Sequence, residues 1–285
     1  AGIKVRKVKT ALPESLVYTR VIELPPLSEA ELASALTWEA EQYIPIPLTE
    51  VNLDWQIVNR PGKDSARQKM EVLLVAAPKA MVNKWVALIE SAGLEPIEME
   101  TEILAASRAL VRRVNPGEAV LPTLVCHIGA EGTDVSIVED SKLVFAAALP
   151  MGGSGLTRLI SQSLGLEFAQ AEQYKRTYGA DETQLEGKIK QALMTGLEAL
   201  AVELRRALNF YANRSPEMRI VRVVLSGGGA QLPGLAGYLA AQLNIEVVVG
   251  NPLAGFSWKA GMTQKFEGIE NVFAVTVGLA MSQED

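Results

Sequence analysis

Residues 127–134, His-Ile-Gly-Ala-Glu-Gly-Thr-Asp, form a glycine-containing turn between two apolar runs, and two more glycine turns follow along the chain. Residues 150–155, Pro-Met-Gly-Gly-Ser-Gly, and residues 225–230, Leu-Ser-Gly-Gly-Gly-Ala, each lie between a predicted strand and a predicted helix. Glycines let a backbone approach phosphate closely, and helix N-termini carry unpaired N–H groups and partial positive charge. Each turn alone is typical of an ordinary tight connection. Three in this order, around a helical segment, predict a phosphate-binding site.

Regular elements are predicted on both sides of these turns, and strands alternate with helices. This alternation predicts an α/β fold with a largely parallel sheet. The expected strands cover 123–128, 134–139, 142–149, 220–225 and 245–249. The expected helices cover 154–164, 168–178, about 186–213, 232–243 and about 271–282.

The first hundred residues predict a smaller unit of strands and helices. Ser28 and Glu31 form a capping box, and apolar residues recur behind it at helical spacing, so we predict a helix over 29–43. Strands are expected on both sides of Pro13, over 51–58 and over 71–77. A helix over 79–92 is predicted to turn four residues inward, namely Val82, Trp85, Leu88 and Ile89.

Composition excludes several classes of function. The net charge of −6 provides no positive field for nucleic acid or for anionic membrane surfaces. No apolar stretch approaches the roughly 20 residues that cross a bilayer, so we expect no direct membrane insertion. The single cysteine, Cys126, lies in an apolar run and is expected to be a buried strand residue. One cysteine cannot form an internal disulfide, which favours a reducing, cytoplasmic setting.

The order of hairpin turn, strand, Gly-Gly helix start, helical insert and strand–Gly-Gly-Gly–helix resembles the second domain of the actin and sugar kinase superfamily. The resemblance implies an actin-like (RNase H-like) two-domain α/β fold with small inserted subdomains. It also implies ATP with Mg²⁺ as the cofactor. Residues 171–175, Ala-Glu-Gln-Tyr-Lys, resemble the helix whose acid and lysine reach the ribose and base, although a solvated helix pair is an alternative. By position, the resemblance implies nucleotide contacts at Gly129, Gly132 and Thr133 in the second phosphate loop, at Gly152 and Gly153 in the cleft, at Glu172 and Lys175, and at Gly227, Gly228 and Gly229 in the adenosine loop.

Two features depart from the superfamily pattern. A first phosphate loop of the Asp-Ile-Gly-Ser type does not occur in this sequence. His127 stands where the superfamily carries the aspartate of its second phosphate loop, although a lone histidine is more often a packed residue. An aspartate would help to hold hydrated Mg²⁺, whereas a neutral imidazole makes a single hydrogen bond per nitrogen. We therefore expect hydrolysis to be weak or absent, with no catalytic residue and no protein-bound metal, and nucleotide binding to be less affected.

Within the superfamily, the first half of the chain resembles the PilM family of type IV pilus assembly. The resemblance is carried by residues 23–28, Glu-Leu-Pro-Pro-Leu-Ser, by residues 38–47, Trp-Glu-Ala-Glu-Gln-Tyr-Ile-Pro-Ile-Pro, and by residues 51–55, Val-Asn-Leu-Asp-Trp. It implies a remnant of the first domain over 1–24, an inserted subdomain over 25–98 and a return to the first domain over 99–118. It further implies a second domain over 119–270 with a helical insert at about 165–219, and a C-terminal helix over 271–285.

The resemblance to PilM implies that this chain is an adaptor that binds the cytoplasmic N-terminal tail of the inner-membrane protein PilN. The adaptor would then lie at the inner membrane through its partner. We expect the tail along the 29–43 helix, at Leu32, Leu36 and Tyr43, although core packing is the simpler interpretation of Trp38 and Tyr43. Self-association stays open. The alternatives are an active phosphotransferase of the sugar kinase branch and a filament-forming protein related to FtsA.

Overall fold

The computed structural model describes residues 4–60, 69–112, 121–257 and 265–282. In chain order the strands are β1 (Lys7–Leu12), β2 (Tyr18–Leu24), β3 (Val51–Asn59), β4 (Met70–Pro78), β5 (Glu95–Thr101), β6 (Thr123–Ile128), β7 (Thr133–Glu139), β8 (Lys142–Leu149), β9 (Arg222–Ser226) and β10 (Glu246–Val249). The helices are α1 (Glu29–Tyr43), α2 (Lys79–Ser91), α3 (Glu102–Leu110), α4 (Gly153–Leu164), α5 (Phe168–Tyr178), α6 (Lys188–Arg214), α7 (Leu235–Leu243) and α8 (Ala274–Met281).

Three sheets organise the described residues. The five-stranded sheet has the order β10-β9-β6-β7-β8, the three-stranded sheet has the order β2-β4-β3, and β1 pairs with β5 in parallel. β6, β8 and β9 run in the same direction, because β7 is antiparallel to both of its neighbours and β9 is parallel to β6. Their carboxyl ends therefore meet at one edge, where the three glycine turns begin.

The largest hydrophobic core lies between the five-stranded sheet and the helices on its two faces. α6 contributes a stripe of fully buried residues at helical spacing, and Tyr211 at its end is 1% exposed. On the other face α3 covers β6 and β7, and a hydrogen bond of 2.9 Å joins Ser107 to Ser136. Cys126 is fully buried in β6, which confirms the expectation for the lone cysteine.

A second core lies between α1 and the three-stranded sheet. Helix α1 begins at Ser28 with the predicted capping box, in which the Ser28 N–H donates to Glu31 Oε2 over 2.9 Å and the Glu31 N–H donates to Ser28 Oγ. Leu32, Leu36 and Ala40 face the sheet and are buried. The predicted bounds of this helix are confirmed.

Several predicted elements differ in detail from the structure. α7 begins at Leu235, because residues 228–231 form a short 3-10 helix and Gly234 takes a positive φ of 76° before it. α8 covers only Ala274–Met281, since residues 270–273 are also a 3-10 helix. The prediction that Leu88 points inward is wrong, because its side chain is 59% exposed on the outer side of α2. Within the described ranges, no helix is long and apolar enough to span a membrane.

Candidate functional site

A cavity of about 680 Å³ opens at the edge where the three glycine turns meet. This volume lies within the range of pockets that hold small molecules and cofactors. Six of the predicted site residues line it, and four lie behind its wall: Gly132, Thr133, Gly152 and Gly227. The lining residues among the predictions are Gly129, Gly153, Glu172, Lys175, Gly228 and Gly229.

The hairpin turn and the start of α4 hold each other closely. The N–H of Gly153 donates to Gly129 O over 2.9 Å, and the N–H of Ser154 donates to Ala130 O over 2.8 Å. Gly152 allows this approach, because a Cβ there would lie 2.6 Å from the Gly129 and Ala130 carbonyl oxygens. The first N–H groups of α4 are therefore occupied by the hairpin, and Gly152 serves packing behind the cavity.

Thr133 also acts behind the wall of the cavity. Its hydroxyl donates to the carbonyl of Met151 over 2.7 Å, so it ties the end of the hairpin to the second glycine turn. The side chain is 2% exposed. The Thr133 hydroxyl is therefore directed at the Met151 carbonyl and not at the cavity.

Lys175 is the centre of an ionic network in one wall of the cavity. Its ammonium donates to Gly153 O and Thr157 Oγ1, each over 2.8 Å, and to Glu172 Oε2 over 2.6 Å. Burial alone would raise the pKa of Glu172, but hydrogen bonds from Lys175, Thr157 and Arg176 outweigh burial and lower it to about 2. The pair thus ties α5 to the start of α4 and keeps a fixed charge arrangement at the cavity.

The third glycine turn is pressed against the end of β6. Gly227 has a φ of 77°, and a Cβ there would lie 2.4 Å from Ile128 O. A Cβ on Gly229 would lie 2.1 Å from Ile128 Cγ2, whereas a Cβ on Gly228 would meet no atom within 4 Å. Gly228 is therefore the residue of this turn that faces open space, whereas Gly227 and Gly229 must be glycine because Ile128 packs against them.

Sequence reasoning missed several lining residues. Phe168 at the start of α5, Arg176 one residue after Lys175, and Gln231 and Val272 all line the cavity. The Phe168 side chain is 47% exposed, and the Arg176 side chain is 78% exposed. The spacing of Arg176 from Glu172, i and i+4 on one helix, was a signal in the sequence. Val272 lies far along the chain and carried no local signal.

His127 does not line the cavity but lies behind it. Its Nδ1 is hydrogen-bonded to Ser226 Oγ over 2.8 Å, which joins the ends of β6 and β9. Burial lowers the pKa of His127 to about 4, so the ring is neutral at neutral pH. His127 is therefore a packed residue, as the simpler sequence interpretation expected.

A buried carboxyl cluster lies next to His127. Burial raises the pKa of Asp134 to about 8, and nearby Glu14 and Glu102 add to the rise. Burial also raises the pKa of Glu14 to about 7. In the described parts of the chain, no group of three or more histidine, cysteine, aspartate or glutamate side chains has the arrangement of a metal site.

The predicted partner-binding residues have different environments. Leu32 is 1% exposed and Leu36 is 0% exposed, so both pack beneath α1 and cannot contact a partner in this conformation. The prediction failed for them because the apolar stripe of an amphipathic helix faces the core. Tyr43 is 41% exposed, and the Arg20 guanidinium lies 4.1 Å from its ring centroid. Trp38 is 64% exposed, so core packing is wrong for both aromatic residues.

Comparison with known proteins identifies the relatives of this fold. Cell division protein FtsA of Streptococcus pneumoniae serotype 2 (strain D39 / NCTC 7466) is 24% identical over 269 residues, 82% of this chain and 58% of that protein. FtsA of Bacillus subtilis (strain 168) is 24% identical over 204 residues, 65% of this chain and 46% of that protein. The chain thus spans about half the length of the curated relatives it matches.

Solved structures agree with the architecture. A structure described as MreB 5 of Spiroplasma citri bound to AMPPNP is 14% identical, has a TM-score of 0.50, and aligns over 72% of this chain and 64% of that one. This likeness concerns the actin-like fold alone. A structure described as the PilM-PilN type IV pilus biogenesis complex is 30% identical, with a TM-score of 0.82, and aligns over 98% of this chain and 80% of that one.

The family model described as "Type IV pilus assembly protein PilM" matches residues 1–284. The match includes both the three-stranded sheet with α1 and the five-stranded sheet with its glycine turns. It agrees with the resemblance that residues 23–55 carry. The chain therefore belongs to the PilM family of type IV pilus assembly proteins and has an actin-like fold.

Proposed function

We propose that this chain is a cytoplasmic adaptor of type IV pilus assembly that binds the N-terminal tail of a PilN-like inner-membrane protein. The observation that carries the proposal is the likeness to the PilM-PilN complex over 98% of the chain, at 30% identity and a TM-score of 0.82. The protein then lies at the inner membrane through its partner. The net charge of −6 supports attachment through a partner, because an acidic surface is not attracted to anionic lipid.

The tail binds beside the inserted subdomain over 25–98, where the three-stranded sheet offers two suitable features. Among the described strands, β3 pairs only with β4, so its outer edge keeps backbone groups that an extended peptide can bond. Three aromatic side chains on this unit are exposed by 40% or more: Trp38, Tyr43 and Trp55. Tyrosine and tryptophan are frequent anchors of protein interfaces.

Fluorescence anisotropy of a labelled PilN N-terminal peptide tests the adaptor. We expect saturable binding to the unmodified chain and about tenfold weaker binding to Tyr43→Ala, the loss expected for an aromatic anchor. Tyr174→Ala is the matched control, since Tyr174 is similarly exposed, at 36%, but lies on α5. A folded chain that binds no peptide would contradict the proposal, and an unchanged affinity of Tyr43→Ala would contradict the place of the tail.

The cavity at the glycine turns binds ATP with Mg²⁺ in this proposal. Its support is the volume of about 680 Å³, the glycines that wall it, and the two cationic side chains of Lys175 and Arg176. Among the described lining residues the only carboxylate is Glu172, which Lys175 and Arg176 already hold, so Mg²⁺ would be bound through phosphate oxygens and water. Bound nucleotide would shift the population of domain angles, with little or no hydrolysis.

The same titration with and without Mg-ATP tests this link. We expect ATP to change the affinity for the peptide, because two ligands that favour different domain angles are coupled. An affinity that ATP leaves unchanged would contradict nucleotide modulation but not the adaptor.

The likeness to FtsA supports one alternative, a filament-forming protein. Sedimentation of the chain with Mg-ATP distinguishes it. We expect a monomer or small oligomer in the supernatant. Pelleted polymers would favour the filament.

A further inference from the structure

A buried asparagine outside the predicted site holds the third glycine turn. Asn271 precedes α8 and is 3% exposed. The Asn271 Nδ2 donates to Gly227 O over 2.6 Å, and the backbone carbonyl of Asn271 accepts the Gly227 N–H over 3.0 Å. Both backbone polar groups of Gly227 are thus bonded to one residue that lies 44 positions away in the sequence.

The glycine turn needs such an external support. Gly227, Gly228 and Gly229 have no side chains that could hold the turn, and Gly227 adopts a backbone conformation, with φ at 77°, that few other residues accept. A run of glycines loses much conformational entropy when it becomes ordered. Two hydrogen bonds from a buried side chain and backbone restrict the turn to the shape that walls the cavity.

Asn271 is linked to the cavity without lining it. Gln231 Nε2 donates to Asn271 Oδ1 over 3.2 Å and to Gly268 O over 2.7 Å. Gln231 lines the cavity, as do Gly228, Gly229 and Val272, the residue after Asn271. Both polar atoms of the Asn271 side-chain amide are therefore bonded, one to Gly227 at the start of the glycine turn and the other to Gln231 in the cavity lining.

We propose that Asn271 is a positioning residue for the nucleoside end of the cavity. It fixes the Gly227–Gly229 turn against which the nucleoside lies, and it does so through Gly227 and Gln231 and not by contact with the ligand. The phosphate end, by the same resemblance that assigns Gly227–Gly229 to adenosine, is the hairpin turn at Gly129 and Gly132, and Asn271 makes no hydrogen bond to it. This inference rests on the proposed binding of ATP in the cavity.

The test compares Asn271→Asp with the unmodified chain by titration with the fluorescent nucleotide MANT-ATP. The substitution keeps the size and shape of the side chain but replaces Nδ2 by a carboxylate oxygen. The Gly227 carbonyl then loses its hydrogen-bond donor and is repelled by that oxygen. We expect about tenfold weaker binding, as is typical when a buried carbonyl loses its partner. Asn251→Asp is the matched control, since Asn251 is exposed in a turn outside the cavity lining, and its affinity is expected to stay unchanged.

A second readout separates positioning from general loss of structure. Inorganic tripolyphosphate has no nucleoside, so its ability to displace MANT-ATP reports on the phosphate end alone. We expect the inhibition constant of tripolyphosphate to stay within about twofold in Asn271→Asp. Equal losses for both ligands, or no loss for either, would overturn the inference.

Gln231→Ala gives a third measurement at an exposed position, where folding is not at risk. It removes the bond to Asn271 Oδ1, and we expect about threefold weaker MANT-ATP binding with tripolyphosphate unchanged. If Gln231→Ala and Asn271→Asp both bind MANT-ATP as the unmodified chain does, the inference is wrong. An unmodified chain that binds no MANT-ATP would overturn the proposed nucleotide binding, and this inference with it.

Discussion

The most regular sequence patterns of the five-stranded and three-stranded regions lie in opposite places, at a surface cavity in the first and in the core in the second. Around the five-stranded sheet, glycine turns form the wall of a cavity, and Gly129, Gly153 and Gly228 face it directly. In the three-stranded region, the most regular pattern is the apolar stripe of α1, and it faces inward. Glycine turns, which leave backbone groups accessible, therefore indicate a surface site. An apolar stripe at helical spacing indicates which face of a helix packs into the core, and it does not identify a binding surface.

Leu36→Ala tests the inward face of α1 and has the largest expected effect. Leu36 is fully buried, so its truncation leaves a cavity and lowers the free energy of unfolding by about 3 kcal/mol. Urea unfolding followed by circular dichroism measures the change. Tyr43→Ala, on the exposed end of the same helix, is expected to cost about 1 kcal/mol, since it removes the contact with Arg20 but leaves no internal cavity. Equal stabilities of the two variants would contradict the assignment of faces.

Gly152→Ala tests the close approach of two turns in the five-stranded region. A Cβ at this position would lie 2.6 Å from two carbonyl oxygens, and backbone atoms must move to accept it. We expect a loss of about 2 kcal/mol in the free energy of unfolding. Gly228→Ala is the control, because its Cβ meets no atom within 4 Å, and its midpoint in urea should not move. A stable Gly152→Ala would show that the turns have room to separate.

Arg214→Lys tests the ionic link between the two regions. The Arg214 guanidinium binds both oxygens of Glu71 in β4, at 2.8 and 2.6 Å, and Glu139 at the end of β7 at 2.6 Å. Lysine keeps the charge but cannot form this paired geometry, so we expect a loss of about 1.5 kcal/mol. Arg206→Lys, whose side chain is 76% exposed, should leave thermal unfolding unchanged. The same result for both variants would mean that apolar contacts alone hold the regions together.

The buried carboxyl cluster predicts a pH dependence of stability. Burial raises the pKa of Glu14 to about 7 and that of Asp134 to about 8, whereas the unfolded chain loses these protons near pH 4. The folded state therefore binds more protons, and its stability falls as pH rises above about 5. Between pH 6 and 8 the two groups together lower it by about 2 kcal/mol per pH unit, with the slope flattening towards pH 8 as the folded-state protons are lost.

Urea unfolding at pH 6, 7 and 8 measures this dependence. Asp134→Asn removes one of the titrating groups that Glu14 and Glu102 adjoin, so its stability should fall less steeply with pH. A profile as steep as that of the unmodified chain would show that Asp134 does not retain its proton in the folded state.

Local sequence patterns determined most elements of this protein, although β5 and α3 were not predicted. The capping box at Ser28 sets the start of α1, and alternating apolar residues set the strands, because these signals act within a few residues of the chain. The glycine turns were predictable for the same reason, and their common location follows from the direction of β6, β8 and β9. The actin-like fold and the PilM family could therefore be inferred before any side chain was placed.

Only the tertiary structure decided how side chains from distant segments are joined around the cavity. Lys175 reaches Gly153, and Asn271 reaches Gly227 from 44 residues away, and neither pairing leaves a signal at its own position in the sequence. The sequence likewise identified the apolar stripe of α1 but not what it packs against, so Leu32 and Leu36 were assigned to a partner. Contacts between distant segments depend on how the sheets and helices pack in three dimensions, and a linear pattern records only the local preferences of each segment.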